Sequence, residues 1–159
     1  MAENILVIGP DTADTARVAA EAAARFGDDI GYVDPRLSPE AIRKVGSRIE
    51  EEREFGGHTV SAFDEALTVG SAVAQLAGFA DAVIVDRLEC WAQHLDAKWD
   101  ASFYERIVEE IAAVTTVMTA DLAELVFVSA AEPPTGRAGE IHARILAAMA
   151  EHVTERIGQ

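Results

Sequence analysis

The sequence predicts an α/β fold: a single three-layer domain over residues 1–159, with about five mostly parallel strands and helices on both faces. Three observations predict it. Short apolar runs recur along the chain, at Ile5–Ile8, Ile30–Val33, Ala82–Val85 and Glu124–Val128. Helical stretches separate them, and strands alternating with helices make a parallel sheet covered on both sides. Half of the 159 residues are hydrophobic, enough for one sizeable core.

In chain order, Asn4–Ile8 reads as a buried strand. Gly9-Pro10 turns the chain, and Asp11 or Thr12 is placed to cap an alanine-rich helix running to about Phe26. Arg17, Glu21 and Arg25 lie four apart on its exposed stripe. Gly27-Asp28-Asp29 ends it, and Ile30–Val33 is a second strand closed by Asp34-Pro35. Ser38 before Pro39 and Glu40 starts a helix that turns very polar from Arg48 to Glu54. The acidic run Glu50–Glu54 is read as its solvated face.

His58–Ala62 is read as the third strand, and Phe63 to about Leu76 as a helix with Asp64 and Glu65 in its first turn. Ala82–Val85, ending at Asp86, is the clearest central strand. Arg87–Asp100 is a polar, aromatic-bearing connection that is helical in part. Ala101–Thr119 follows as a helix with Phe103, Ile107, Ile111 and Val114 on one face; its threonine-rich end is a poor helix tail. Glu124–Val128 is read as the last strand. After Pro133-Pro134-Thr135-Gly136, a helix from Ala138 to about Ile157 closes the chain, with Glu140 and Arg144 spaced for an ion pair.

The formal net charge is −15, which argues against nucleic-acid binding and against anionic membrane surfaces. No apolar run reaches membrane-spanning length. Ile5–Ile8 is too short for a signal-peptide core, and Cys90 is the single cysteine, so a cytoplasmic protein is expected. The acidity itself is read as a solubility device more than as the mark of a basic partner.

The loop after the first strand stands where parallel α/β domains bind phosphate. A working phosphate loop reads G-x-x-x-x-G-K-[ST]. Counted from Gly9, the second glycine's place holds Asp14, the lysine's holds Thr15 and the hydroxyl's holds Ala16. Asp11 and Asp14 suit the positive end of the helix dipole and would repel a nucleotide.

By Asp86 the order of motifs resembles the adenosylcobinamide kinase / adenosylcobinamide-phosphate guanylyltransferase family of cobalamin biosynthesis, whose fold is of the P-loop-kinase type. Ile5-Leu6-Val7-Ile8-Gly9 matches the start of that family's phosphate loop, and Arg48-Ile49 matches its R-I pair. In Val85–Leu95, Asp86, Leu88, Trp91 and Leu95 fall in register with its L-D-C-L-T-x-W-L-S-N-L motif. The departures cluster at the chemistry. Thr15 and Ala16 replace the lysine and serine, and Glu51 or Glu52 stands where the guanylylated histidine would be. The family's final strand has no counterpart in this reading, which ends on a helix. Phosphoryl transfer needs the lysine charge and a hydroxyl–Mg²⁺ contact, and covalent guanylyl transfer needs a nucleophilic nitrogen.

The resemblance therefore implies a non-catalytic or repurposed relative, a binding or assembly subunit in a homo-oligomer or a protein complex. The alternative it implies is a nucleotide- or corrinoid-binding enzyme using GTP or ATP with magnesium at Gly9, Pro10, Asp11, Thr12, Thr15, Asp86 and Arg87. Arg87 and Arg137 are the arginines placed near that edge. Asp86 is read either as a Mg²⁺-holding carboxylate or as a helix cap, and Asp11, Asp14 and Asp86 could converge on a hard cation. The four histidines lack metal-ligand spacing, and Cys90 reads as a small packed residue. Trp91 and Trp99 either line a ligand pocket or pack beneath the loop.

Overall fold

The computed structural model describes residues 2–33, 57–61, 69–97 and 104–158, with the backbone alone for 57–61 and 71. The expectations for the 38–54 helix, for 62–68, for Lys98–Phe103 (with Trp99) and for the Glu51/Glu52 position lie outside these residues. The elements are β1 (Asn4–Ile8), α1 (Ala13–Ala24), β2 (Ile30–Val33), β3 (Gly57–Ser61), α2 (Val69–Ala77) and β4 (Ala82–Val85). They continue with α3 (Leu88–Ala97), α4 (Tyr104–Thr119), β5 (Glu124–Ser129), α5 (Arg137–Ala150) and β6 (Glu155–Gly158).

The strands form one sheet in the order β3-β2-β4-β5-β1-β6, and every pairing is parallel. Side chains alternate across it. Ile5, Val7, Ile84, Val126 and Val128 face α1, whose Ala19, Ala22 and Ala23 let the helix lie close. Leu6, Val83, Val85, Leu125 and Phe127 face the other way, against α2 to α5. On that face α2 packs on α4 and α3 on α5. Leu88, Trp91, Ala92 and Leu95 of α3 are buried at helical spacing. The layered α/β class and helices on both faces are as the sequence predicts.

The end of the chain differs from the sequence reading. The last helix stops at Ala150, and residues 155–158 form a sixth strand, so the terminal strand thought missing is supplied by this chain. The backbone N–H groups of His152 and Val153 turn back onto the Met149 carbonyl. Thr154 N then donates to Asn4 O, and parallel pairing with β1 begins. Arg25 fixes the strand from outside through Glu155, 2.7 Å away, instead of extending the Arg17–Glu21 stripe. Gly158 has a φ of 94°, and a Cβ there would overlap the Ile8 carbonyl oxygen.

Two further differences have local causes. The threonine tail of α4 stays helical because Thr115, Thr116 and Thr119 donate their hydroxyls to carbonyls one turn back. Arg144 donates to the Tyr104 hydroxyl and lies 5.1 Å from its ring centroid, instead of pairing with Glu140. Among the described residues no helix is long and apolar enough to cross a membrane.

Candidate functional site

From β1 the chain crosses over α1 to β2, beyond β5 and β4; from β5 it crosses over α5 to β6, beyond β1 in the other direction. The order reverses between β1 and β5. The crevice outside the carboxyl ends of strands at such a reversal is where open α/β sheets bind ligands. Gly9, Asp86, Arg87 and Ser129 all stand at this edge.

Gly9 continues the β1–β5 pairing by donating its N–H to Ser129 O at 3.0 Å. The helix begins at Ala13, so the span between strand and helix is Gly9–Thr12, and Asp14 is already helical. Of the two candidate caps, Thr12 takes the position: its side chain accepts from Thr15 N at 3.4 Å. Thr15 is buried, and its hydroxyl stands where a Cβ on Gly9 would go. The space over Gly9 is thus filled by the residue in the lysine position. Pro10, Asp11, Thr12 and Asp14 are exposed.

Asp86 and Arg87 are both buried at the end of β4. The Asp86 carboxylate accepts a hydrogen bond from the Tyr32 hydroxyl, and its N–H donates to Val33 O at 2.8 Å. Arg87 has a left-handed backbone, φ 59°, a conformation that costs a non-glycine residue about 1–2 kcal/mol. Its carbonyl receives the N–H groups of Cys90 and Trp91, opening α3. Its Nη1 donates to Gly9 O at 3.2 Å, and its Nη2 forms an ion pair with Glu89. Glu89 accepts in turn from Ala130 N at 2.9 Å. One buried chain of contacts therefore ties together the loops after β1, β4 and β5.

Behind it, Ser129 Oγ and His142 Nε2 lie 2.8 Å apart, both residues fully or almost fully buried. Burial holds the His142 pKa below the usual histidine value, and the nearby Glu89 charge opposes that shift. Ser129 is fully buried and His142 almost so, which places the pair inside the fold behind the loops.

Of the residues read from the sequence, Gly9, Thr15, Asp86 and Arg87 converge here, while Pro10, Asp11 and Thr12 form the exposed lip. Arg137 pairs with Asp96 of α3 at 2.5 Å. Trp91 is fully buried in the core; it packs. No group of three or more His, Cys, Asp or Glu residues that could hold a metal forms among the described residues. Glu89, Ser129 and His142 carried no sequence signal beyond their types. Glu89 two residues after Arg87, at a helix start, was the one readable hint. No protein-family model and no curated protein matches the chain.

Proposed function

We propose that this is a non-catalytic binding or assembly protein, a repurposed relative of the adenosylcobinamide kinase / guanylyltransferase family. The observation that carries the proposal is the state of Arg87. Its guanidinium is buried, and its two terminal nitrogens are taken by Gly9 O and Glu89, both parts of the fold itself. The filled space over Gly9 and the exposed acidic lip support the same reading. Asp11 and Asp14 put two carboxylates at the loop, the second paired with Arg17 at 3.6 Å. The chain would act through partners, in a homo-oligomer or a hetero-complex, in the cytoplasm. Family members associate through helices, and Tyr104 and Val108, one turn apart and exposed on α4, offer such a face.

A second reading has a specific observation in its favour. Arg87 Nε and Trp91 Nε1 are buried donors without a hydrogen-bond partner, four residues apart at the start of α3. A buried donor left unpaired is costly, and an acceptor from a nucleotide or corrinoid ligand would satisfy it. On that reading the chain is a nucleotide- or corrinoid-binding enzyme of cobalamin biosynthesis, with GTP or ATP and magnesium held by Gly9–Thr12, Thr15, Asp86 and Arg87.

Thermal unfolding with and without Mg²⁺-GTP and Mg²⁺-ATP at millimolar concentration separates the two. A ligand at about one hundred times its dissociation constant adds roughly 2.7 kcal/mol of stability. The first reading predicts no shift with either nucleotide. A clear shift would overturn it in favour of the second.

A further inference from the structure

The opposite edge of the sheet, where the strands begin, carries two exposed apolar side chains in an acidic setting. We propose that this surface docks a short basic segment of another protein, one that places apolar side chains between lysines or arginines. The proposal stands apart from the reading of the carboxyl edge, which the nucleotide experiment tests.

The apolar part is Phe79 and Leu122, 62 % and 60 % exposed, the most exposed large hydrophobic residues among those described. A lone exposed hydrophobic side chain is ordinary. These two lie on neighbouring loops. Phe79 follows α2 and leads into β4, and Leu122 follows α4 and leads into β5. The two helices pack together, the two strands pair, and Glu124 N donates to Asp81 O at 3.2 Å. Each apolar residue therefore stands two positions before one partner of that bond. The next residue in each loop, Ala80 or Ala123, is buried. In both loops the fold takes in the small side chain and leaves the large one outside.

The charge around them has one sign. Glu3, Asp28 and Asp81 are exposed and Glu124 is half-buried, in the segments that open β1, β2, β4 and β5. These strands are neighbours in the sheet. Asp81 and Glu124 accept backbone N–H groups, of Asp29 and Glu3, which fix them without bringing a positive charge. None of the four pairs with a lysine or arginine among the described residues. Helices α2 and α4 also end here with no basic residue in their last turns. Asp121, next to Leu122, lines a cavity of about 260 Å³ with Ala2, Asn4 and Met118, so the surface there is indented rather than flat.

Charge complementarity selects the occupant. In a two-fold dimer through this surface, a second copy would set the carboxylates against their equals. A basic segment is drawn to them, and its apolar side chains take Phe79 and Leu122 out of water.

The test is fluorescence anisotropy of a labelled peptide, Arg-Lys-Leu-Arg-Lys-Phe-Arg-Lys, with the full chain at about 0.15 M salt, where long-range attraction is screened. The matched peptide has serine in place of its leucine and phenylalanine. Phe79→Ser with Leu122→Ser removes the apolar pair; both side chains lie largely in solvent, so the fold is kept. Glu3→Gln with Asp28→Asn removes two charges beside it. Glu105→Gln with Glu109→Gln removes two exposed charges from the first half of α4, away from this edge. The parent is expected to bind the peptide. The serine peptide, and the Phe79/Leu122 variant with the original peptide, should each bind about tenfold more weakly. The Glu3/Asp28 variant should bind more weakly than the parent, and the Glu105/Glu109 variant should match it. The proposal is overturned by no binding to the parent, by equal binding of the serine peptide, or by undiminished binding in the Phe79/Leu122 variant. Equal loss in both charge variants also overturns it, because the peptide would then respond only to net charge. Sedimentation of the chain alone is expected to be the same for the parent and the Phe79/Leu122 variant. A parent dimer that this variant abolishes would overturn the proposal in favour of a second copy.

Discussion

The two edges of the sheet are tied together by different kinds of polar group, a buried ion pair at one and a side-chain amide at the other. At the carboxyl edge, Arg87, Glu89, Gly9 and Ala130 tie three loops together, with Ser129 and His142 packed behind them, while Arg87 Nε and Trp91 Nε1 stay unpartnered. At the amino edge, Asn4 ties β1 to the ends of α4 and α5 but keeps an acceptor unpartnered beside a cavity. Among the described residues, the loops after β1, β4 and β5 are held by their own side chains, and a cavity lies at the amino edge.

The comparison can be broken most forcefully at Glu89. Glu89→Ala leaves the Arg87 guanidinium buried without its carboxylate, and such a loss costs about 3–5 kcal/mol. Denaturant unfolding should show it; a loss under 1 kcal/mol would mean that the pair does not hold the edge together. Asn4→Ala comes next. It strands the carbonyls of Met118 and His152 but also removes an unsatisfied oxygen, so about 1–3 kcal/mol is expected by the same measurement.

His142 supplies a pH-dependent prediction. Its folded pKa lies below its unfolded value of 6.5, so below that pH the unfolded chain binds a proton that the folded chain refuses. The stability due to neutral His142 is complete above pH 6.5 and is lost as pH falls through the lowered folded value. The stability difference between the parent and His142→Gln, followed from pH 8 downward, should therefore shrink in this window. A difference independent of pH would contradict the burial of a neutral ring. The smallest effect is at the sheet's rim. Arg25 and Glu155 are about half exposed, and Arg25→Ala should cost about 0–1 kcal/mol, less in high salt.

Most of the sheet was legible because β1, β2, β4 and β5 are uninterrupted apolar runs that end at glycine, proline, aspartate or a buried serine. β6 was not. Its Glu-Arg-Ile-Gly sequence puts one large apolar residue on an edge strand, and two charges there read as a helix tail. What starts the strand is Thr154 bonding to Asn4, a contact across most of the chain that no local pattern encodes. The same limit applies at the site. Gly9, Asp86 and Arg87 could be found because they follow apolar strands. That Arg87 is already taken, and by Glu89, depends on how three loops meet. His142 gave no signal, since a lone histidine on an amphipathic helix has no spacing to read.

The central claim is that Arg87 belongs to the fold and is not held in reserve for a ligand. A double-mutant cycle between Arg87→Ala and Glu89→Ala, measured by denaturant unfolding without any ligand, tests it most directly. A coupling energy of about 2 kcal/mol is predicted for this buried pair. A coupling near zero would contradict the claim and leave the guanidinium available to an anion at the carboxyl edge.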